Sequence, residues 1–160
     1  MSHVTHEIRW RCCRFDELGV QELERIYRAR QQVFNIEQDC VYLDVDGVDP
    51  QCMHLAAWSD AHDQPLAYAR IVAPGVKYAE PSIGRVITTA PARGTGLGRE
   101  LVRRAVEQAV ALHPGQGIRI SAQAHLARFY GGFGFEVVGD EYMEDGIPHI
   151  EMLRPAGAAT

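Results

Sequence analysis

Three glycines at alternate positions, Gly94, Gly96 and Gly98, sit between Arg93 and Arg99. A branched stretch with Ile83, Val86, Ile87 and Thr88 precedes them, and an amphipathic run with Leu101, Val102, Ala105, Ala109 and Leu112 follows. Strand, glycine turn and helix start, in that order, make an anion site. The free N–H groups of a helix N-terminus point outward, and the helix dipole favours negative charge there. Glycine lets a phosphate lie against the backbone because no Cβ intervenes. A nucleotide-hydrolase loop is excluded, since no Lys-Ser or Lys-Thr pair follows the glycines. A dinucleotide fingerprint is excluded because the third glycine is misplaced. A glycine-rich turn that binds nothing stays open as an alternative.

A second group lies downstream, in Leu126-Ala127-Arg128-Phe129-Tyr130-Gly131-Gly132-Phe133-Gly134-Phe135. A phenol such as Tyr130 is protonated at neutral pH and can give a proton to a leaving group; a packed core tyrosine is the alternative. Groups that could take a proton are Glu37, Asp44, Asp46, His125, Asp145, His149 and Glu151. Histidine has a suitable pKa without tuning, and a chain of waters could serve instead. His54, His125 and His149 lack ligand spacing, so no metal is expected. Asp44, Asp46 and Gly47 lack the full order of a calcium loop.

These groups must be held by a fold. The chain has 160 residues, which fits one domain over 1–160, ordered over about 5–154. Alternation predicts strands over 7–15, 53–59, 66–73 and 82–89, then 117–122, 133–138 and 147–153. Helical spacing predicts helices over 19–34, from the glycine loop to about 113, and over 125–132. Arg30 interrupts the apolar stripe of the first helix and is expected at its rim, head in water. The 37–49 segment is rich in Asp. It reads either as a polar loop bonding its own backbone or as an acidic wall for a cationic amine. Residues 155–160 read as a loose tail.

Composition narrows the class. Hydrophobic residues make up 46% and charged residues 23%, as in ordinary globular proteins. The net charge of −5 disfavours non-specific nucleic-acid binding. There is no long apolar span and no basic-then-apolar leader, so no membrane association is expected. Cys12, Cys13, Cys40 and Cys52 form no CxxC pair, which suits reduced thiols in a cytoplasm.

Arg93-Gly94-Thr95-Gly96-Leu97-Gly98 resembles the Q/R-x-x-G-x-G/A loop of the GCN5-related N-acetyltransferases (GNAT). The Phe129-Tyr130 segment is similar to that family's second motif. The segments 30–38 with Asp44-x-Asp46, and 142–150, resemble the ElaA-like subfamily. The order of elements matches the family from about 5 to 154. Ala90 stands where the family has proline, with Pro91 next to it, which leaves the local bend open.

The resemblance implies an α/β (α+β) fold with one mixed, mostly antiparallel sheet flanked by helices. It implies an acetyltransferase that uses acetyl-CoA as co-substrate, without a metal. Val86, Ile87 and Thr88 would pair with the pantetheine amides as an added strand would. Arg93, Gly94, Thr95, Gly96, Gly98 and Arg99 would hold the pyrophosphate. Gln123 and Phe129 would also border the cofactor. Tyr130 would be the acid, and His149, Asp145 or Glu37 would serve the substrate side. The acceptor would be a small-molecule or protein amine, cationic if the acidic segment faces it. A homodimer is possible through an exposed edge after the last strand. A module that binds acyl-CoA without turning it over is the rival reading.

Overall fold

The computed structural model describes residues 6–158. Four strands, β1 (Arg9–Arg14), β2 (Cys52–Trp58), β3 (Ala67–Val72) and β4 (Ser82–Thr88), form one antiparallel sheet in that order. β5 (Ile118–Gln123), β6 (Glu136–Val137), β7 (Tyr142–Glu144) and β8 (Ile147–Arg154) form a second, with β8 antiparallel to the other three. Where one sheet was expected there are thus two ladders. They meet where Arg119 N–H donates to Pro81 C=O at 3.0 Å, and share no ladder beyond that point.

β3 is buried at every position, because helices cover both faces of its sheet. On one face α2 (Leu97–Leu112) packs Leu101, Val102, Ala105, Val106 and Ala109 against Leu55, Ala57, Ala67, Ala69 and Ile71. On the other, α1 (Val20–Gln31) sets Ile26 and Ala29 over Ala56, Tyr68 and Ile87. The period-two alternation of β2 and β3 thus supplies two cores at once. Each fully buried aliphatic side chain stabilises by about 1.5–3 kcal/mol.

The first helix departs from expectation at its end. α-Helical bonding stops at Gln31, and Gln32–Glu37 continues as a wider π-type turn. Gln38 N–H reaches back to Val33 C=O at 3.0 Å, and Asn35 Nδ2 donates to the carbonyls of Cys40 and Tyr42. Those bonds let Val33 and Phe34 both stay buried while the chain turns back. The tail is also tied down as far as it is described. Pro155–Ala158 turns, and Arg154 Nη2 donates to Ala158 C=O at 2.7 Å. Residues 159–160 of that tail, and residues 1–5, lie outside the described residues.

Candidate active site

Arg30 is not at the rim. It is wholly buried, and its guanidinium donates to Asp44 Oδ2 and Asp49 Oδ1, each at 2.9 Å. Arg70 donates to Asp49 Oδ1 at 3.0 Å and grips both oxygens of Asp46, at 2.9 and 2.8 Å. Arg85 closes the circuit, with Nη2 3.3 Å from Asp46 Oδ2 and Nε 2.9 Å from Asp44 Oδ1. Three arginines and three aspartates thus alternate in a closed, electrically neutral ring. The rings of Tyr27 and Tyr68 flank Arg30, and Tyr42 flanks Arg85. Asp44, Asp46 and Asp49 are thus paired with arginines, while Glu37 pairs with Arg93 and Asp39 is exposed.

Ionisation follows from these contacts. Burial works against the Arg30 cation, but its partners, Asp49 and Asp44 among them, hold its pKa above the ordinary value. The Arg70 hydrogen bonds hold the Asp46 carboxyl well below the usual range. Burial would raise Asp49, yet Arg30 and Arg70 pull it below the ordinary value. His54, held by Tyr68 Oη at 2.7 Å and Asp49 C=O at 2.9 Å, has its pKa lowered by burial. The circuit is not saturated: Asp44 Oδ1, Asp49 Oδ2, Arg70 Nε and Arg85 Nε are buried without an aligned hydrogen bond. The Arg85 Nε contact is thus an ion pair and not a directed bond.

The ring floors one side of a cavity of about 440 Å³. β4 bends where it passes the ring. Its register against β3 shifts between Tyr68 and Arg70, and Arg85 adopts φ 51°, a left-handed conformation rare for a branched-chain-sized residue. The irregularity lies where Arg85 joins the ring, and β4 and β5 share no ladder among the described residues. Between the two strands lie Val86, Ile120, Ala122, Gln123 and Tyr130, all on the cavity lining. Tyr130 is 8% exposed and packs edge-on against Phe129 and Phe135. Burial pushes its pKa up to about 12, so it stays a proton donor throughout the neutral range.

On the opposite wall the β7–β8 hairpin brings Glu144, Asp145 and His149 to the cavity. His149 Nδ1 lies 2.8 Å from Ile147 C=O, and Nε2 lies 3.3 Å from Glu144 Oε2. The hairpin tip is joined to the 38–42 segment by Cys40 Sγ–H to Asp145 C=O, at 3.5 Å. Gln123 Nε2 reaches Gln38 Oε1 at 3.3 Å.

The glycine loop lies at the end of β4. Gly94 and Gly96 have φ 77° and 84°, so the turn needs residues without a Cβ. Gly96 caps α2 and leaves the helix start open. Among the described residues, the N–H groups of Gly94 through Arg99 have no recorded protein acceptor. Thr95 does not face outward with its hydroxyl, which donates to Ala92 C=O at 2.5 Å. Nor is Arg93 free: it donates to Thr88 C=O, at 3.2 and 3.0 Å, and pairs with Glu37.

Val86, Gln123, Tyr130, Asp145 and His149 thus share one cavity, while Thr88 and the loop glycines lie at the far end of β4. Ile87 is buried in the α1 core, so only its backbone is available. Phe129 is partly buried behind Tyr130 and is not on the lining. Glu37 is off the lining too, as are Asp44 in the ring and Glu151, which pairs with Arg119 at 2.8 Å. Sequence reasoning overlooked Arg70, Arg85, Lys77 and Glu144. An arginine inside the apolar run Leu66–Ala73 was the available signal, because a charge there must meet a counter-charge.

A strand edge left open beside unbonded helix-start amides, with a protonated phenol opposite, suits a protein that moves an acyl group from a coenzyme A thioester. Residues 36–154 match the family described as "Acetyltransferase (GNAT) domain". A UPF0039 protein of Synechocystis is 44% identical over 148 residues, covering 92% of this chain and 95% of that protein. The crystal structure of an acyl-CoA N-acyltransferase from Pseudomonas aeruginosa superposes with a TM-score of 0.87 at 41% identity, covering 92% of this chain and 99% of that one. Escherichia coli ElaA superposes with a TM-score of 0.86 at 37% identity and the same coverage. The chain belongs to the GNAT acetyltransferase family, with ElaA among its relatives, and is an acyltransferase whose co-substrate is an acyl-CoA. Among the described residues no helix is long and apolar enough to cross a membrane.

Proposed function

We propose that the protein transfers acetyl from acetyl-CoA to the primary amine of a small molecule, by direct attack in a ternary complex. The unbonded N–H groups of residues 94–99, set at the start of α2 beside the open edge of β4, carry this reading. They suit a pyrophosphate, which accepts hydrogen bonds from bare amides and is favoured by the helix dipole. The backbone of Val86 to Thr88 would pair with the pantetheine amides, laying the acetyl group in the gap between β4 and β5. A main-chain N–H near Thr88 would bond the thioester oxygen as charge develops there.

The chemistry balances with groups on the cavity wall. The amine nitrogen attacks the thioester carbonyl; a C–N bond forms and the C–S bond breaks. Tyr130 gives its proton to the departing thiolate and regains one from solvent. The proton lost by the amine goes to His149 Nε2, where the Glu144 carboxylate stabilises the resulting imidazolium. The Nδ1 contact to Ile147 C=O sets the tautomer that leaves Nε2 as the acceptor.

Tyr130→Phe tests the assignment, because it removes one oxygen from a site already lined by rings. Thiol release from acetyl-CoA with an amine panel should fall by roughly 10²–10⁴. Calorimetric affinity for acetyl-CoA should stay within about twofold of the wild-type value, since the binding groups are elsewhere. An unchanged rate would remove Tyr130 from the mechanism.

A further inference from the structure

Three cationic and three anionic side chains line the cavity, Arg70, Lys77 and Arg85 against Asp46, Glu144 and Asp145. Asp46 is committed to Arg70 and Arg85, and Glu144 faces His149. Asp145 sits at the tip of the hairpin in a left-handed conformation, φ 51°, beside Cys40. On the cationic side two groups keep N–H donors without an acceptor among the described residues. Lys77, on the connection between β3 and β4, lines the cavity and has no ion pair or hydrogen bond among the described residues. It lies 5.4 Å from the Tyr78 ring centroid. Arg85 also lines the cavity; its Nε and Nη2 face the ring, while Nη1 has no protein partner and is not among the buried unpaired atoms.

We propose that Lys77 and Arg85 Nη1 hold an anionic group on the acceptor, so that the acceptor is a small amine bearing a carboxylate, as a free amino acid does. This rests on the transferase reading and names the acceptor class for it. The lining offers a partner to each charged group of such a zwitterion. Its carboxylate meets Lys77 and Arg85, and its amine meets Glu144 and His149 on the hairpin wall. The neutral ring contributes in a second way. It fixes the Arg85 guanidinium through Asp44 and Asp46, so little side-chain freedom is lost when Nη1 takes a ligand. Lys77 itself is exposed to solvent as a residue, and desolvation by the cavity walls lowers its pKa, with Glu144 opposing that and Arg85 and Arg70 adding to it. An anion bound beside it would favour the charged form.

The test uses the full chain and matched pairs: each common α-amino acid against the amine left when its carboxyl group is removed. Thiol release gives kcat/KM for both members. At least one pair should favour the carboxylated member by roughly 10- to 100-fold, the value of one or two charge-assisted bonds. Lys77→Met should collapse that preference while KM for acetyl-CoA holds, and Lys77→Arg should restore most of it. Decarboxylated amines turned over equally well, or a preference that survives Lys77→Met, would overturn the proposal. If no amine is turned over, the transferase reading has failed. Calorimetry of the CoA-saturated protein with N-acetyl amino acids and N-acetyl amines then decides the pocket alone: tighter binding of the carboxylated compounds supports it, and equal binding overturns it.

Discussion

The Arg–Asp ring, which β4 joins at its middle through Arg85, and the glycine loop beyond its end are opposites in physical character. The ring is built from side chains 14 to 41 residues apart in sequence, four of them buried, and all paired with one another. The loop is built from consecutive residues, and its polar groups are main-chain amides without acceptors. A set of charges that already satisfies itself gives structure; a set of donors left unmet gives a binding site. The ring stiffens the 37–49 segment and the β4 bulge.

Changes that break the ring should therefore cost stability, and changes in the loop should cost affinity. Arg30→Met is the largest expected effect. Removing one partner leaves Asp44 and Asp49 buried without it, which destabilises by about 3–5 kcal/mol. Urea unfolding would read that loss; a change under about 1 kcal/mol would mean that the ring contributes little. Gly96→Val comes next. A Cβ there meets nothing within 4 Å, so the internal cost is the left-handed backbone alone, about 1–2 kcal/mol. Distortion of the amides should weaken acetyl-CoA binding by roughly 10- to 100-fold, as the loss of one or two bonds to a charged group would. If affinity survives, the anion is held elsewhere.

The smallest effect is on pH dependence. Asp46 and Asp49 have pKa values depressed by their arginines. Their contribution is present above the unfolded carboxylate pKa of about 3.9 and is lost as pH falls below it. Unfolding free energy should drop as pH is lowered from about 5 towards 3, and Asp46→Asn should flatten that slope. A slope the variant does not alter would separate acid sensitivity from the ring.

The same contrast explains what could be read from the chain alone. The loop was legible because its chemistry is local: alternate glycines fix the turn, and the helix that follows fixes the direction of the amides. The order of elements was legible from periodicity, apart from β7. The ring was not, because no spacing rule says that Arg30 will find Asp44 and Asp49, or that Arg85 will find both Asp44 and Asp46. Arg30 read as a rim residue, and the aspartates as an acidic wall, each because its partner lay outside the window of local pattern. Arg93 shows the same limit at shorter range. Its position beside the glycines suggested an anion contact, whereas its long side chain turns to Thr88 C=O and Glu37. Arg85 is also left-handed, a conformation that residue identity does not announce.

The most direct measurement is a titration of ¹⁵N-labelled protein with acetyl-CoA, followed by amide resonances. The account predicts saturable shifts that are largest for the amides of Gly94 through Arg99, with smaller ones along Val86 to Thr88. Saturable binding that leaves the 94–99 amides unmoved, or no binding at all, would contradict it.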